Sequence, residues 1–265
     1  MAEGNESVGS PYRSFWNRVG ARFPDLGGAE STAYYRENEE LLFRDHLEPL
    51  DGKRLFKSDL WDEVRNTRIL QWAAGSGAKA YGLDLSVATT IGAKAEFARD
   101  GADLRAAVSD VRWIPFRDRS FDAVYSMGTV EHFDETEQAI AEIFRVLERG
   151  GRAIIGVPNR LDPFLRPLLV WGLDKLGLYG YGFEKSYSHS GLRSMLEKAG
   201  FEVIEQTGIL FIPGWLRMLD LACHVWCRPL AGLTGLAVKP FAWAYRRFPR
   251  LRRHGYLIAA VVIRP

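Results

Sequence analysis

The stretch from Val108 to Asn159 constrains the fold of this chain more than any other, because it reads as strand, helix and strand in direct succession. Phe121 to Ser126 is a short apolar run rich in β-forming residues, and Glu137 to Leu147 repeats apolar residues at helical spacing. The Arg-Gly-Gly sequence at 149–151 predicts the end of that helix, before a second apolar run from Ala153 to Val157. Two strands joined in this way form a parallel pair with a crossover. Such a sheet keeps its ligands where polar residues follow the strands.

Helices and strands alternate before this stretch as well. A helix that begins near Ser31 has apolar residues at helical spacing, and Gly52 separates it from a strand over Arg54 to Lys57. The pattern then predicts a helix over Glu63 to Ala74, a strand over Ala78 to Leu83, a helix over Val87 to Asp100, a strand over Leu104 to Val108, a later helix over Gly191 to Ala199 and a last strand over Tyr256 to Ile263. This alternation is typical of an α/β fold with a doubly wound sheet.

The length of 265 residues and the hydrophobic content of 47% suit one α/β domain with a sizeable core. We expect three parts within it: a tail and capping helix over 1–50, with Met1 to Tyr12 frayed, a binding core over 51–160, and an insertion, lid and last strands over 161–265. The start of the chain lacks the basic and apolar segments of a signal peptide, and no run reaches transmembrane length. The sequence therefore predicts a cytoplasmic protein.

Charge and cysteine content narrow the classes of partner. The 35 Lys and Arg residues nearly balance the 33 Asp and Glu residues, so the total charge does not favour nucleic acid. Cys223 and Cys227 are the only cysteines of the sequence, and they lie in an apolar stretch without a second pair. We therefore expect buried thiols, with neither a disulfide nor a metal site.

Several motifs of the central stretch point to one family. They are Asp110, the spaced PF-x-D-x-S-FD from Pro115 to Asp122, the Val-Glu-His at 130–132, and the L-x-x-GG ending that leads to Pro158-Asn159. Together they resemble class I S-adenosylmethionine-dependent methyltransferases, especially the group that acts on small molecules. The resemblance implies a Rossmann-like, mostly parallel seven-stranded sheet and S-adenosylmethionine as the cofactor.

The loop after the first strand departs from the usual nucleotide-binding pattern. Nucleotide-binding folds place glycines there so that the backbone can approach the ligand, but the loop from Lys57 to Glu63, KSDLWDE, contains none. Gly75 and Gly77 follow too late to leave room for a helix before the next strand, and we interpret them as a helix-ending turn. The loop is similar to a KTDL[FW]DE-like loop of a class I subgroup. A methyltransferase-like binding protein without activity is the alternative that this loop leaves open.

The resemblance also implies which residues bind the cofactor. Asp84, which ends a strand and precedes Leu85 and Ser86, would accept hydrogen bonds from the ribose hydroxyls, or it is the N-cap of the next helix. Asp110 and Val111 would hold the adenine, or Asp110 is a turn residue. The other predicted cofactor residues are Lys57 and Ser58 in the glycine-free loop, Asp59 for the amino group, Met127, Gly128 and Glu131 on the cleft floor, and Tyr34 and Tyr35 above it, with a buried aromatic stripe as the alternative for the tyrosines.

Methyl transfer needs alignment of the reactants and, for a hydroxyl acceptor, removal of a proton. His132 lies beside the predicted cleft, and a histidine titrates close to neutral pH. His189 lies in the segment inserted before the helix at 191–199, where this fold builds its acceptor pocket. Both are candidate catalytic residues, and structural packing is the alternative for His132. In the same segment Glu184 and Tyr187 are candidates to orient the acceptor, or they are turn and cap residues.

The C-terminal third is rich in aromatic residues and ends in a basic cluster from Arg246 to Arg253. One interpretation is a lid over a large apolar pocket followed by a solvated turn; the other is peripheral contact with anionic lipid. Both predict a hydrophobic acceptor. We therefore expect methyl transfer, with oxygen favoured, to a quinone, polyketide or lipid-like molecule. An RNA methyltransferase is a third reading, since arginine and aromatic residues also bind nucleic acid.

Overall fold

The structure is a computed structural model that describes residues 10–265, with the side chains from Tyr12 onward. Most of the expected frayed tail lies outside the described residues, and residues 10–12 begin a helix instead. The helices are α1 (Ser10–Arg22), α2 (Glu30–His46), α3 (Trp61–Arg65), α4 (Ile69–Gly75), α5 (Val87–Arg99), α6 (Thr136–Val146), α7 (Arg166–Lys175), α8 (His189–Lys198), α9 (Gly214–Trp226) and α10 (Arg228–Arg247), with short 3₁₀ turns at Val130–His132 and Pro249–His254.

The helices surround a seven-stranded sheet, as predicted. Its strands are β1 (Arg54–Lys57), β2 (Lys79–Asp84), β3 (Leu104–Val108), β4 (Phe121–Met127), β5 (Leu147–Pro158), β6 (Glu202–Ile209) and β7 (Leu257–Ile263). The strand order is β3-β2-β1-β4-β5-β7-β6. Strands β1 to β5 are parallel, whereas β7 runs antiparallel to both β5 and β6. The sheet is therefore mixed but mostly parallel.

The strand order reverses at the centre of the sheet. The chain builds outward from β1 through β2 to β3, and then returns to place β4 on the other side of β1. The connections that leave β1 and β4 therefore diverge to opposite sides, and their carboxyl ends bound a crevice. In open α/β sheets ligands bind at such a switch point.

Helices cover both faces of the sheet because each carries an apolar stripe. On one face α2, α5 and α10 bury Leu42, Phe97 and Val238 in a common cluster. On the other face α6 and α8 bury Ile140 and Leu192. No helix among residues 10–265 is long and apolar enough to cross a bilayer.

The prediction of one continuous helix over Glu63 to Ala74 is wrong, because the structure has two helices there, α3 and α4. The Glu63 carboxylate accepts from the backbone N–H groups of Leu70 and Gln71, at 3.0 and 3.1 Å, in the first turn of α4. A residue that caps the second helix cannot continue the first one into it. Arg68 lies between the two in the left-handed region, with φ of 57°.

The predicted stop at 149–151 is also displaced. Helix α6 already ends at Val146, and residues 147–158 form β5, so the two glycines lie within a strand. The pairing of β4 with β5 shifts register between Phe121 and Ala123. Gly150 has a φ of 71° and donates its N–H to the Arg264 carbonyl. The glycines thus form an irregular part of the ladder.

Candidate active site

A cavity opens where β1, β2 and β4 end, at the switch point of the sheet. Its empty volume of about 1210 Å³ includes space that is open to solvent. Polar residues from the strand ends line one part of it: Ser58, Asp59, Asp84, Gly128, Thr129 and Glu131. Residues from the C-terminal third line another part: Arg166, Tyr181, Arg217, Met218, Leu221 and Tyr256.

A fully buried lysine organises the loop that has no glycine. Lys57 Nζ lies 3.0 Å from Asp59 Oδ1, 3.3 Å from Asp62 Oδ2 and 3.9 Å from Glu63 Oε1. Burial opposes the charge on Lys57, but these three carboxylates raise its pKa above the ordinary value. Burial raises the pKa of Glu63 to about 7. The loop therefore takes its shape from side-chain ion pairs around one ammonium group.

Asp59 and Asp62 of this loop both line the cavity, and Asp59 is the more exposed of the two. Its side chain keeps 18% of its surface exposed, against 7% for Asp62. Thr129 donates its hydroxyl to Asp59 Oδ2 at 2.9 Å, and the Ser58 hydroxyl donates to Thr129 at 3.0 Å. Lys57 holds the other carboxylate oxygen. The structure thus fixes Asp59 from both sides while leaving it open to a ligand.

Asp84 lies at the end of β2 with its carboxylate fixed by backbone. Leu60 N–H donates to Oδ2 at 3.0 Å, and Ser86 N–H donates to Oδ1 at 2.8 Å. Gly82 makes room for this loop, since a Cβ there would lie 2.5 Å from the Leu60 side chain. Burial raises the pKa of Asp84 to about 7. The N-cap of α5 is Ser86, which accepts from Thr89 N–H, so the alternative role for Asp84 as that cap is wrong.

Asp110 forms a buried ion pair rather than lining the cavity. Arg112 Nε and Nη2 donate to its two oxygens at 3.1 and 2.7 Å. The Arg112 guanidinium also contacts the rings of Tyr12 and Phe133, 5.1 and 4.7 Å from their centroids. Val111, next to Asp110, does line the cavity. The pair therefore fixes the turn that presents Val111.

Glu131 and His132 bound the cavity beyond β4. Glu131 is buried, its Oε2 has no hydrogen-bond partner among the described residues, and burial raises its pKa well above the ordinary value. His132 Nδ1 lies 2.7 Å from the Phe183 carbonyl oxygen, which can only accept, so Nδ1 carries the proton. Burial lowers the pKa of His132. The neutral imidazole consequently presents an unprotonated Nε2, 4.0 Å from Glu131 Oε1.

Helix α1 covers one side of the cavity. Trp16 lines it and packs edge-on against the His132 ring, with 4.9 Å between centroids. Asn17 accepts from the N–H of Val87, the first residue of α5. Gly20 faces Ser86 and Thr89, because a Cβ there would lie 2.3 Å from Thr89 Oγ1. The sequence analysis did not predict this helix.

Two arginines and several tyrosines form the far side of the cavity. Arg166 and Glu184 are paired at 2.6 Å, and Tyr179 donates to the same carboxylate at 2.5 Å. Arg217 lies over the Tyr35 ring at 5.1 Å. Both guanidiniums also lie over the ring of Tyr256, Arg166 at 4.2 Å and Arg217 at 5.9 Å. Charged groups here are thus held by rings and ion pairs within apolar surroundings.

The structure brings most of the predicted residues to the cavity but not all. Lining residues among them are Tyr35, Ser58, Asp59, Asp84, Leu85, Val111, Met127, Gly128, Glu131 and His132. Lys57, Ser86 and Asp110 do not line the cavity, but each is next in sequence to a residue that does. Tyr34 is turned away and donates to the Phe211 carbonyl at 3.4 Å. His189 lies apart from the cavity, with Nε2 bonded to the Arg253 carbonyl at 2.8 Å.

Several residues that line the cavity were not predicted from the sequence, and most of them come from distant parts of the chain. These are Trp16, Asn66, Thr129, Arg166, Arg217 and Tyr256. The one signal in the sequence was the presence of arginines inside largely apolar stretches, as at Arg217 in α9. Nothing in the pattern distinguishes Trp16 from an ordinary exposed aromatic residue.

Comparisons with known proteins agree with this geometry. Residues 64–155 match the family model described as Methyltransferase domain, and the match begins directly after the glycine-free loop. A probable S-adenosylmethionine-dependent methyltransferase from Mycolicibacterium smegmatis is 29% identical over 137 residues, 49% of this chain and 46% of that protein. These matches show that the chain is similar to methyltransferases, among them one described as S-adenosylmethionine-dependent. The resemblance seen in the sequence is confirmed at this level, whereas the subgroup suggested by the KSDLWDE loop stays a prediction.

Other similar proteins show how far the similarity extends in sequence and in fold. A demethylmenaquinone methyltransferase from Thermus thermophilus is 28% identical over 176 residues, 55% of this chain and 79% of that protein. The crystal structure of the [4+2]-cyclase SpnF matches with a TM-score of 0.61 and 18% identity over 97% of this chain and 96% of that chain, which shows the shared fold alone. The chain spans less than half the length of the first three curated relatives, at 46%, 41% and 48%.

Proposed function

We propose that this chain methylates an oxygen atom of a hydrophobic small molecule, such as a quinone, polyketide or lipid-like compound. The observation that carries the proposal is the division of one cavity into two chemistries. Carboxylates collect at the strand ends, whereas Met218, Leu221 and aromatic rings form the far side. A cationic cofactor suits the first part and an apolar acceptor the second.

The carboxylate side fits S-adenosylmethionine, which supplies an electrophilic methyl group on a positively charged sulfur. Asp59 has the position to accept from the amino group, and Asp84 from the ribose hydroxyls. Val111 and Leu85 offer apolar contacts to the adenine. The free Oε2 of Glu131 faces this positive charge without a competing partner. Anionic and unsatisfied oxygens are the groups that a cationic ligand compensates.

The far side supports the choice of a hydrophobic acceptor. Tyr179, Tyr181 and Tyr256 surround the Arg166–Glu184 pair, so the charges here compensate each other. An apolar molecule with a few polar atoms fits this surface. We infer that the segment 161–181 and helix α9, which both line the cavity, serve as the lid expected from the sequence, and that Glu184 orients the acceptor through its pair with Arg166. Tyr187, the other expected orienting residue, donates to Thr136 instead.

His132 is the residue of this chain placed to take a proton. Its Nδ1–H is fixed on the Phe183 carbonyl, and its Nε2 is unprotonated in the neutral ring. With a hydroxyl acceptor, S-adenosylmethionine would supply the methyl group and leave as S-adenosylhomocysteine, and His132 Nε2 would take the hydroxyl proton. His189 does not share this role, because its Nε2 is hydrogen-bonded to the Arg253 carbonyl away from the cavity.

The proposal is tested by titrating S-adenosylmethionine and S-adenosylhomocysteine into the purified protein, and then screening quinols and phenolic polyketides for S-adenosylhomocysteine release. Binding together with turnover of an apolar hydroxyl compound supports the proposal. Binding without turnover on any acceptor points to a binding protein. Salt-sensitive turnover of RNA would instead identify RNA, and not a hydrophobic small molecule, as the acceptor.

A further inference from the structure

The excess of positive charge in this protein lies in its C-terminal segment. Residues 210–265 contain nine Lys and Arg residues and one acid, Asp220, which is buried. Residues 1–209 carry the other 26 Lys and Arg residues against 32 Asp and Glu. The nearly neutral total therefore conceals a strongly basic segment attached to an acidic body.

The same segment exposes large apolar side chains on two helices. Helices α9 and α10 both pack on α2, and α10 does so through buried residues that include Val238 and Ala242. Their opposite faces point away from the body. We call this surface the outer face of α9 and α10; its apolar residues are Trp215, Leu219, Trp226, Leu233, Leu236 and Trp243.

The exposure of the outer face is large and periodic. Trp226 is 81% exposed, and Leu233, Leu236 and Trp243 are 65%, 60% and 59% exposed. The last three are spaced by three and seven residues, which places them on one side of α10. Isolated exposed apolar residues are ordinary in proteins, but a contiguous stripe with tryptophans marks an interaction surface.

Cations accompany the apolar stripe. Arg247 and Arg250 are exposed, and no ion pair with an acid is found for either within residues 10–265. Arg246 and Arg252, by contrast, lie 3.4 Å from Glu37 and Asp45 of α2. The surface beside the stripe therefore keeps uncompensated positive charge.

We propose that the outer face of α9 and α10, with Arg247 and Arg250, docks this protein on the surface of an anionic lipid bilayer. Leu and Trp side chains enter the headgroup boundary, and arginines contact lipid phosphates. A single weak anchor gives only marginal membrane attachment, so the combination of an apolar stripe with a basic cluster is what makes lipid the suitable occupant. A protein partner would need no such excess of one charge.

The position of the cavity fits this orientation. The inner side of α9 carries Arg217, Met218 and Leu221, which line the cavity, while Trp215 and Leu219 on the same helix point outward. One helix thus separates the proposed bilayer surface from the proposed acceptor pocket. An apolar acceptor dissolved in the membrane reaches such a pocket without crossing water. This last step rests on the proposed function, whereas docking itself does not.

The test is flotation of the full chain with phosphatidylcholine vesicles, with and without phosphatidylglycerol. We expect binding that requires the anionic lipid and weakens with salt. The double substitution Arg247→Gln, Arg250→Gln lowers partitioning roughly 25-fold, about fivefold for each arginine. Leu236→Glu lowers it by about tenfold or more through lost apolar burial.

Matched controls lie at the opposite edge of the sheet. Ile91 on α5 is 64% exposed, and the Arg105 side chain on β3 is 69% exposed. Ile91→Glu and Arg105→Gln leave vesicle binding unchanged if docking is specific. The proposal is overturned by absent vesicle binding, by equal losses in the controls, or by light scattering that shows this face buried in a dimer. Binding of S-adenosylmethionine, measured separately, reports on the cofactor site and not on docking.

Discussion

Lys57 Nζ lies 3.0 Å from Asp59 Oδ1, and this contact joins the end of β1 to the carboxylate that faces the cavity. Lys57 Nζ also donates to the backbone carbonyl of Asp59 at 3.2 Å, which folds the loop back on the strand. A glycine-rich loop reaches its ligand with bare backbone. Here an internal cation shapes the loop, and side-chain oxygens take over the approach to the ligand.

Replacing Lys57 with Met removes the cation that pairs with three loop carboxylates. We expect the free energy of unfolding to fall by about 3–5 kcal/mol, because Asp59, Asp62 and Glu63 are left uncompensated. Without the cation their folded-state pKa values rise, so the folded protein holds protons that the unfolded chain has released. The loss of stability therefore grows as pH rises from about 5.5 to about 8.

Urea denaturation at both pH values checks this, with Lys94→Met as the control, since Lys94 is an exposed residue of α5. Equal stability of the two variants would show that the ion pairs contribute nothing to the loop. A loss without pH dependence would contradict the electrostatic account but not the packing of the side chain.

Asp84→Asn weakens binding of S-adenosylmethionine by about tenfold to a hundredfold, because a charged acceptor becomes a neutral amide. Burial raises the pKa of Asp84 to about 7, and a cationic ligand favours the ionised form. Binding to the original protein should therefore tighten between about pH 6 and about pH 8, with proton release. Calorimetry in two buffers of different ionisation enthalpy measures that release.

The exposed Asp103 supplies the matched control, as Asp103→Asn should bind like the original protein. If Asp84→Asn keeps both the affinity and the proton release, then Asp84 is not the ribose acceptor. If affinity falls while proton release persists, another titrating group, such as Glu131, accounts for the pH dependence.

The sequence pattern located six of the seven strands of the described residues, all but β6, because each of the six is specified by its own neighbours. The bounds expected for β1 and β3, Arg54 to Lys57 and Leu104 to Val108, are confirmed. The break between α3 and α4 was missed, because it depends on Glu63 reaching past Arg68 to cap the second helix. Local propensity contains no information on a cap that comes from the preceding helix.

The candidate site was predictable along the strand ends and not elsewhere. Asp59, Asp84 and Glu131 follow strands, so the sheet brings them to one edge. Arg217 and Trp16 enter the cavity through helices whose orientation depends on tertiary packing. His189 was misplaced for the same reason, since the pattern locates the inserted segment but not which side of it faces the cavity.

His132 should remain neutral to lower pH than an ordinary histidine, because burial lowers its pKa. Nuclear magnetic resonance of its ring signals against pH measures this directly, with a short unstructured histidine peptide as the reference. A titration of His132 that follows the reference would show that the ring is hydrated and not held as described.

His132→Gln separates catalysis from packing. If Nε2 accepts the proton of a hydroxyl acceptor, kcat falls by about 10²- to 10⁴-fold with little change in S-adenosylmethionine affinity. Because burial lowers the pKa of this base, kcat of the original protein at saturating S-adenosylmethionine should persist to lower pH than an ordinary histidine would allow. An unchanged kcat, or a parallel loss of cofactor affinity and thermal stability, would assign His132 to packing against Trp16.

Gly20 determines how closely α1 covers the cofactor part of the cavity. A Cβ at this position would lie 2.3 Å from Thr89 Oγ1 and 2.8 Å from Ser86 Oγ, so Gly20→Ala must move α1 away from α5. Trp16 moves with the helix and leaves its contact with His132. We expect weaker S-adenosylmethionine binding and faster proteolysis within α1, with an unchanged unfolding midpoint for the sheet. Ala21→Val adds carbon to the exposed side of the same helix and should behave like the original protein. Equal protease resistance and cofactor affinity in both variants would mean that α1 does not close the site.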